Sequence, residues 1–225
     1  MANIFPRGSN ILPLKIVLCL AVLGGATTAG FAYYFTNKYT NVGYQPTQPV
    51  PFPHDVHVKQ VGMDCRYCHS AVEVAAHSNI PTTQVCMNCH GQIQKDSPKL
   101  QAVRDSWQTG KPIEWVQIHK TPDYAFFNHS AHVNRGVSCV SCHGKVNEMA
   151  VVYHAQPLSM DWCLDCHRHP EEALRPLSEI TNLDWKPTPT KEGQSLADAQ
   201  REQGRILVEK GKISPPDSNC AGCHR

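Results

Sequence analysis

The chain has 225 residues, a formal net charge of +2 and a mean hydropathy of −0.38; it lacks the basic balance of a nucleic-acid-binding domain, so no nucleic-acid partner is expected. Aliphatic residues thin out after residue 40 and 17 prolines interrupt regular structure, so a soluble part of this size would be hard to fold around side chains alone. Eleven cysteines and thirteen histidines are the counts that stand apart.

In chain order, residues 1–10 are polar and form a short segment expected on the cytoplasmic side. Residues 11–36 predict a transmembrane helix. From Ile11 to Phe35 every residue is apolar or small except Lys15, and Ile16 to Phe35 alone gives 20 residues, enough to cross a hydrocarbon core of about 30 Å. Lys15 can snorkel to the interface, while Tyr33, Tyr34 and Phe35 stand where an aromatic belt is expected. A cleaved secretory signal is the alternative, but the stretch is long for a signal core. Arg7 and Lys15 precede the span and Lys38 follows it, which favours an inside N-terminus. Gly24, Gly25, Ala29 and Gly30 permit close packing of partner helices, and Cys19 reads as a buried small residue. Residues 37–53 contain four prolines and read as an extended linker.

Five copies of one pattern follow. Cys65, Cys68 and His69; Cys86, Cys89 and His90; Cys139, Cys142 and His143; Cys163, Cys166 and His167; and Cys220, Cys223 and His224 each form Cys-x-x-Cys-His. Two thiols three residues apart reach the two vinyl groups of one porphyrin, and the adjacent His becomes the proximal iron ligand. A zinc knuckle does not require His after every second Cys. A thioredoxin-like site uses one such pair, not five. The reading is five covalently bound c-type haems, which also supply the missing apolar surface.

An internal repeat surrounds the first four sites. Phe52, His54 and His57 align with Phe127, His129 and His132, each set followed by two attachment sites; His77 and His154 each precede the second site of their unit by nine residues. Residues 54–90 and 129–170 are therefore two copies of a two-haem unit, joined by a connector over 91–128 and followed by a tail over 171–225 carrying the fifth site. An electron-transfer haem is best held between two strong axial ligands, so His54, His57, His77, His129, His132 and His154 are distal candidates, with His119 and His169 in reserve. Met160, three residues before Cys163, is a thioether candidate that would raise one potential; packing is its alternative role. Met63, Met87 and Met149 are weaker candidates. In the connector, Ser97 and Pro98 open a helix with Leu100, Val103 and Trp107 on one face, stopped by Gly110. In the tail, residues 195–212 predict a helix with Leu196, Ala199, Ile206 and Leu207 as its apolar side.

The anchor, the Phe-x-His-x-x-His signatures, the run from Trp115 to Tyr124 leading into Phe127 and His129, and the run from Met160 through Cys163 to His167 together resemble the pentahaem cytochrome c subunit of alternative complex III. The paired histidine signatures are also similar to those of small cytochromes of the c3 and c7 type. The resemblance implies a multihaem cytochrome c with c3/c7-like haem packing, mostly coil with short α-helices, plus one N-terminal transmembrane helix. It implies that His54 completes the haem on His69 and His129 the haem on His143, while His57 and His132 reach neighbouring haems.

Its functional implication is an electron-carrying subunit, not an enzyme on its own, in a respiratory quinol-oxidising complex. The partners would be membrane quinol-oxidising subunits, an iron–sulfur protein, and a periplasmic monohaem cytochrome c or terminal oxidase. The haem domain would lie on the periplasmic side of a bacterial cytoplasmic membrane, since c-type attachment is an export-side process. No nucleophile or acid–base pair is evident. The alternatives are a membrane-anchored quinol dehydrogenase feeding a periplasmic reductase, a multihaem reductase with one open iron, and a stand-alone electron-storage cytochrome.

Overall fold

The computed structural model describes residues 7–35, 41–216 and 219–224. Expectations placed on residues 1–6 and on Lys38 lie outside the described residues, as do the side chains of Arg7 and Phe35. The chain divides into residues 1–42 and residues 43–225.

In the first unit a 3-10 turn, Arg7–Ile11, leads into helix α1, Leu12–Phe35. Its 24 residues span about 36 Å at ~1.5 Å per residue. Straight-chain and small residues favour the helix, and nothing in its most apolar stretch is buried: Leu14, Leu18, Val22 and Phe31 all stand exposed. Cys19, expected as a buried residue, lies on that exposed surface too. Tyr33 and Tyr34 meet edge to face, with ring centres 5.4 Å apart.

The second unit contains no strand among the described residues, only isolated antiparallel bridges between Ala125 and His224 and between Val137 and Leu174. Its helices are short: a π-turn Asp55–Gln60, then α2 Cys65–Cys68, α3 Thr83–His90, α4 Gln101–Thr109, α5 His129–Val133, α6 Cys139–His143, α7 Met160–Arg168, α8 Leu196–Gly211 and α9 Cys220–Cys223. Every attachment pair sits on a helical turn, where positions i and i+3 share a side. At two of the pairs the preceding residue helps to make that turn. Asp64 accepts a hydrogen bond from the Arg66 amide at 2.8 Å and Asn219 accepts one from the Ala221 amide at 3.1 Å, capping α2 and α9.

Among the described residues few apolar side chains are buried: Val50, Val103, Val133, Met149, Leu174, Ile180, Leu183 and Ala199. Six of these, from Val133 onward, belong to the second repeat or the tail. The Arg175 amide donates to the Gly136 carbonyl at 2.9 Å, and Gly136, at φ +94°, has no room for a Cβ against the Arg175 backbone. Ser138, buried, donates to the Ile180 carbonyl at 2.6 Å. The linker also differs from a free spacer. The Gly43 amide and the Tyr44 carbonyl bond the backbone of His154, and the Gln48 amide clasps the backbone of Val116 in both directions, at 2.8 and 2.9 Å.

Helices α4 and α8 depart from their expected faces. Before α4, residues Pro98–Leu100 form a 3-10 turn, and Gly110 at φ +71° ends the helix as predicted. Val103 is buried, but Trp107 is not; Ser106 takes the inner place, accepting from the Thr83 hydroxyl and donating to the Lys111 carbonyl, both at 2.6 Å. In α8, Leu196 and Ile206 are exposed while Ala199 and Gly204 are buried. The reason is close approach: α8 packs on the 3-10 turn Pro170–Glu172, and a Cβ on Gly204 would collide with the Glu171 backbone. Gly204→Val should therefore destabilise the protein by about 1–3 kcal/mol. Removing the N-cap with Ser195→Ala should cost only ~1 kcal/mol. Thermal unfolding of the two variants checks this order.

Candidate haem sites

The histidines of the two repeats are held in the same way. Phe52 stacks on the His57 ring at 4.2 Å and meets His54 edge-on at 4.7 Å; Phe127 stacks on His132 at 4.6 Å and meets His129 edge-on at 4.8 Å. His57 Nδ1 bonds the Pro53 carbonyl at 2.8 Å and His132 Nδ1 bonds the Asn128 carbonyl at 2.7 Å. A carbonyl only accepts, so Nδ1 carries the proton in each and Nε2 keeps its lone pair.

Other histidines follow the rule. His69 Nδ1 donates to the Asn79 carbonyl at 2.8 Å, His90 Nδ1 to Ile93 at 2.9 Å, His129 Nδ1 to Ala76 at 2.9 Å, His167 Nδ1 to Pro216 at 3.1 Å and His224 Nδ1 to Tyr124 at 3.3 Å. Fixing one ring nitrogen by a backbone carbonyl orients the other as a metal ligand. Two imidazoles bonded to one metal at ~2 Å each have ring centres roughly 6 Å apart. Three pairs have that spacing: His57 with His90 at 6.2 Å, His129 with His143 at 6.4 Å and His132 with His167 at 6.1 Å. The residues present fit axial ligation of haem iron, and the paired thiols beside them fit covalent attachment.

His54 lies close to His69. Burial, and after it the His69 and His57 imidazoles, lower its pKa to about 4. Burial likewise lowers His143 to about 3 and His119 to about 4, and holds His132 below its ordinary value. The Nδ1 atom of His54 is buried without a hydrogen-bond partner.

The remaining candidates are placed differently. His154 is 1% exposed and stacks on His119 at 5.1 Å; His119 in turn meets His143 edge-on at 4.3 Å. His77, its counterpart by repeat position, is exposed. The two environments diverge because the second unit inserts a 3-10 turn, Val146–Glu148, between His143 and His154. His169 is exposed and near Glu171. Met160 opens α7 with 63% of its surface exposed, and Met149 is buried. The ring stacked on His224 is Tyr124, at 5.8 Å.

Some contributors have no mark in the sequence. Asn79 accepts from the Ala71 amide through Oδ1, donates to the Cys68 carbonyl through Nδ2 and offers its own carbonyl to His69, yet it sits in a loop ten residues from that ligand. Asp64 and Asn219, standing directly before a Cys, carry a legible signal as helix caps.

The thiols of different pairs also approach one another. Cys65 and Cys139 lie close enough to influence each other, which pushes the first thiol up and the second down. Cys68 lies near Cys86 and Cys89, Cys142 near Cys166 and Cys163, and Cys163 near Cys223. Burial is the larger influence on these, and it pushes Cys142 up to about 12.

Residues 50–106 match the family described as cytochrome c7 and related cytochrome c, and residues 109–212 match cytochrome c552. The fold is that of a cytochrome c7-like multihaem domain. The first match contains the first two Cys-x-x-Cys-His motifs, and the second contains the third and fourth. Among curated proteins the chain is 29% identical over 147 residues to the menaquinone reductase multihaem cytochrome c subunit of Nitratidesulfovibrio vulgaris, covering 65% of this chain and 58% of that one. It is 24% identical over 182 residues to cytochrome c-552 of Porphyromonas gingivalis, covering 65% and 36%. A third relative is the acrylate reductase cytochrome subunit of Shewanella woodyi, 23% identical over 91 residues and covering 40% and 60%. The matches thus span 36 to 60% of the relatives' own lengths.

The depressed histidines set a pH dependence. In the unfolded chain these imidazoles protonate near pH 6.5, whereas in the fold His54, His119 and His143 stay neutral to about 4, 4 and 3. Stability is therefore fully present above about pH 6.5 and is lost as pH falls towards about 4. The melting temperature should be level between pH 7 and 8 and fall steadily below about 6.5, which a pH series of thermal melts would show.

Proposed function

We propose that this cytochrome is the electron-carrying component of a membrane quinol-oxidising complex of the alternative complex III kind. It would be anchored by α1 with its haem part on the periplasmic side, and would pass electrons toward a periplasmic cytochrome or terminal oxidase. The observation that carries the reading is the set of imidazole pairs at iron-sharing distance, closed on both sides and backed by backbone carbonyls. Such sites leave no position for substrate and require little rearrangement between oxidation states.

In this reading ten cysteines hold five haems, which supply one-electron iron chemistry when bound. His69, His90, His143, His167 and His224 are the proximal ligands. His54 serves opposite His69, His57 opposite His90, His129 opposite His143 and His132 opposite His167. Phe52 and Phe127 pin two distal rings each, and the carbonyls of Pro53, Asn128 and Ala76 hold His57, His132 and His129 in the ligating tautomer. The exposed apolar surface of α1 fits a lipid environment.

A second reading is favoured by the names of two relatives, which are subunits of a menaquinone reductase and an acrylate reductase. There the chain would exchange electrons between the quinone pool and a reductase, the opposite direction for the pool in the first of these. Gentle solubilisation of native membranes, followed by isolation of the haem-stained chain and mass spectrometry of its companions, separates the two. Co-isolation with multi-span quinol-binding subunits and an iron–sulfur protein, and reduction of the haems by quinol, supports the first. Isolation with a soluble reductase and no such subunits would sink it.

Two variants test the ligation. Cys86→Ala combined with Cys89→Ala should lower covalent haem by about one fifth, read as the loss of one haem mass. His57→Met should keep every attachment while raising one midpoint potential, because a thioether ligand favours the reduced iron.

A further inference from the structure

We propose that the polypeptide sets its five attachment sites in one unbranched row that does not follow chain order: second, first, third, fourth, fifth. The inference rests on the haem ligation proposed above. Each link has its own contact. The second and first sites meet through residues inside their attachment loops: Asn88, between Cys86 and Cys89, donates through Nδ2 to the Tyr67 hydroxyl, between Cys65 and Cys68, at 3.2 Å. First and third meet where the Cys65 and Cys139 thiols come close enough to influence one another. They meet again where His129, opposite His143, donates to the carbonyl of Ala76 and its neighbour Ser130 to Ala75, both just after the first site.

Third and fourth share α5, whose His129 and His132 lie one turn apart and face His143 and His167 respectively. Fourth and fifth are tied by His167, which donates through Nδ1 to the Pro216 carbonyl shortly before α9. The Phe126 amide donates to the Cys223 carbonyl at 2.6 Å, one residue before the Phe127 that stacks on His132. Proximity of thiols across neighbouring sites repeats the same order: Cys68 with Cys86 and Cys89, Cys142 with Cys163 and Cys166, and Cys163 with Cys223. Among the described residues no contact within the attachment loops or between their thiols joins the second site to the third, fourth or fifth; the π-turn carrying His57 does rest on Val146–Glu148, after the third site.

The row makes α3 and α9 its two ends, so redox partners of the chain are expected to address these helices. The connector and the second repeat fold back past the first site, which is why the first attachment site of the sequence occupies an inner place.

The direct test is a structure of the haem-loaded full chain in its membrane assembly, with the irons ranked by separation. The expected result is that the irons of the second and fifth sites have one close neighbour each, the first and the fourth respectively, and that the inner three have two. A second-site iron nearest to the third, a fifth-site iron nearest to the first, or a branched arrangement would overturn the row. A solution test uses redox titration. Removing an end site, by Cys86→Ala with Cys89→Ala, should move one of the four remaining midpoint potentials; removing the central site, by Cys139→Ala with Cys142→Ala, should move two. Equal effects of both deletions in variants that retain four haems would contradict it. A chain that shows the row but travels without quinol-binding subunits would count against the proposed function and leave the row intact.

Discussion

The structure depends on a small and repeated bond: an imidazole Nδ1–H given to a backbone carbonyl. Seven histidines make it, and in each the bond fixes the tautomer, the ring plane and the direction of Nε2. A ligand free to rotate would have to be ordered each time an iron is bound, whereas these rings are ordered by the polypeptide itself. The accepting carbonyls come from turns and loops rather than from regular ladders. A fold made largely of turns is therefore suited to the task, because its carbonyls are not already taken by helices or sheets.

Burial acts on other imidazoles. The rings of His54, His119 and His143 sit where a charge is poorly solvated, so the neutral form, the one that keeps a free lone pair, is preferred well below neutral pH. Where imidazoles crowd together, His154 disfavours the protonation of His119, and both disfavour that of His143. Desolvation and mutual repulsion point the same way, and both keep lone pairs available.

Much of this was legible in the sequence, for identifiable reasons. The Cys-x-x-Cys-His pattern is local, complete within five residues, so its five copies are legible directly. The repeat points to His54, His57, His129 and His132, and in both copies the structure sets these rings against the same phenylalanine, as a duplication that preserves spacing would. Spacing alone could not say that His154 is enclosed while His77 is exposed, since the difference arises from an inserted turn and from backbone bonds to Tyr44. Asn79 escaped notice because its role is set by a loop that returns to the first site. Periodicity puts Trp107, Leu196 and Ile206 on the apolar faces, but contacts at Ser106 and Gly204 decide which faces turn inward. Small residues there admit a closer approach than large apolar ones would.

The carbonyl of Ala76 belongs to the first repeat, yet it orients His129 of the second. The copies have consequently ceased to be separable modules. The dependence also runs the other way: the π-turn that carries His57 rests on the turn Val146–Glu148 of the second repeat, through the Asp55 amide on the Met149 carbonyl and Lys59 on Glu148. Neither repeat expressed alone would therefore keep all the contacts that aim its rings.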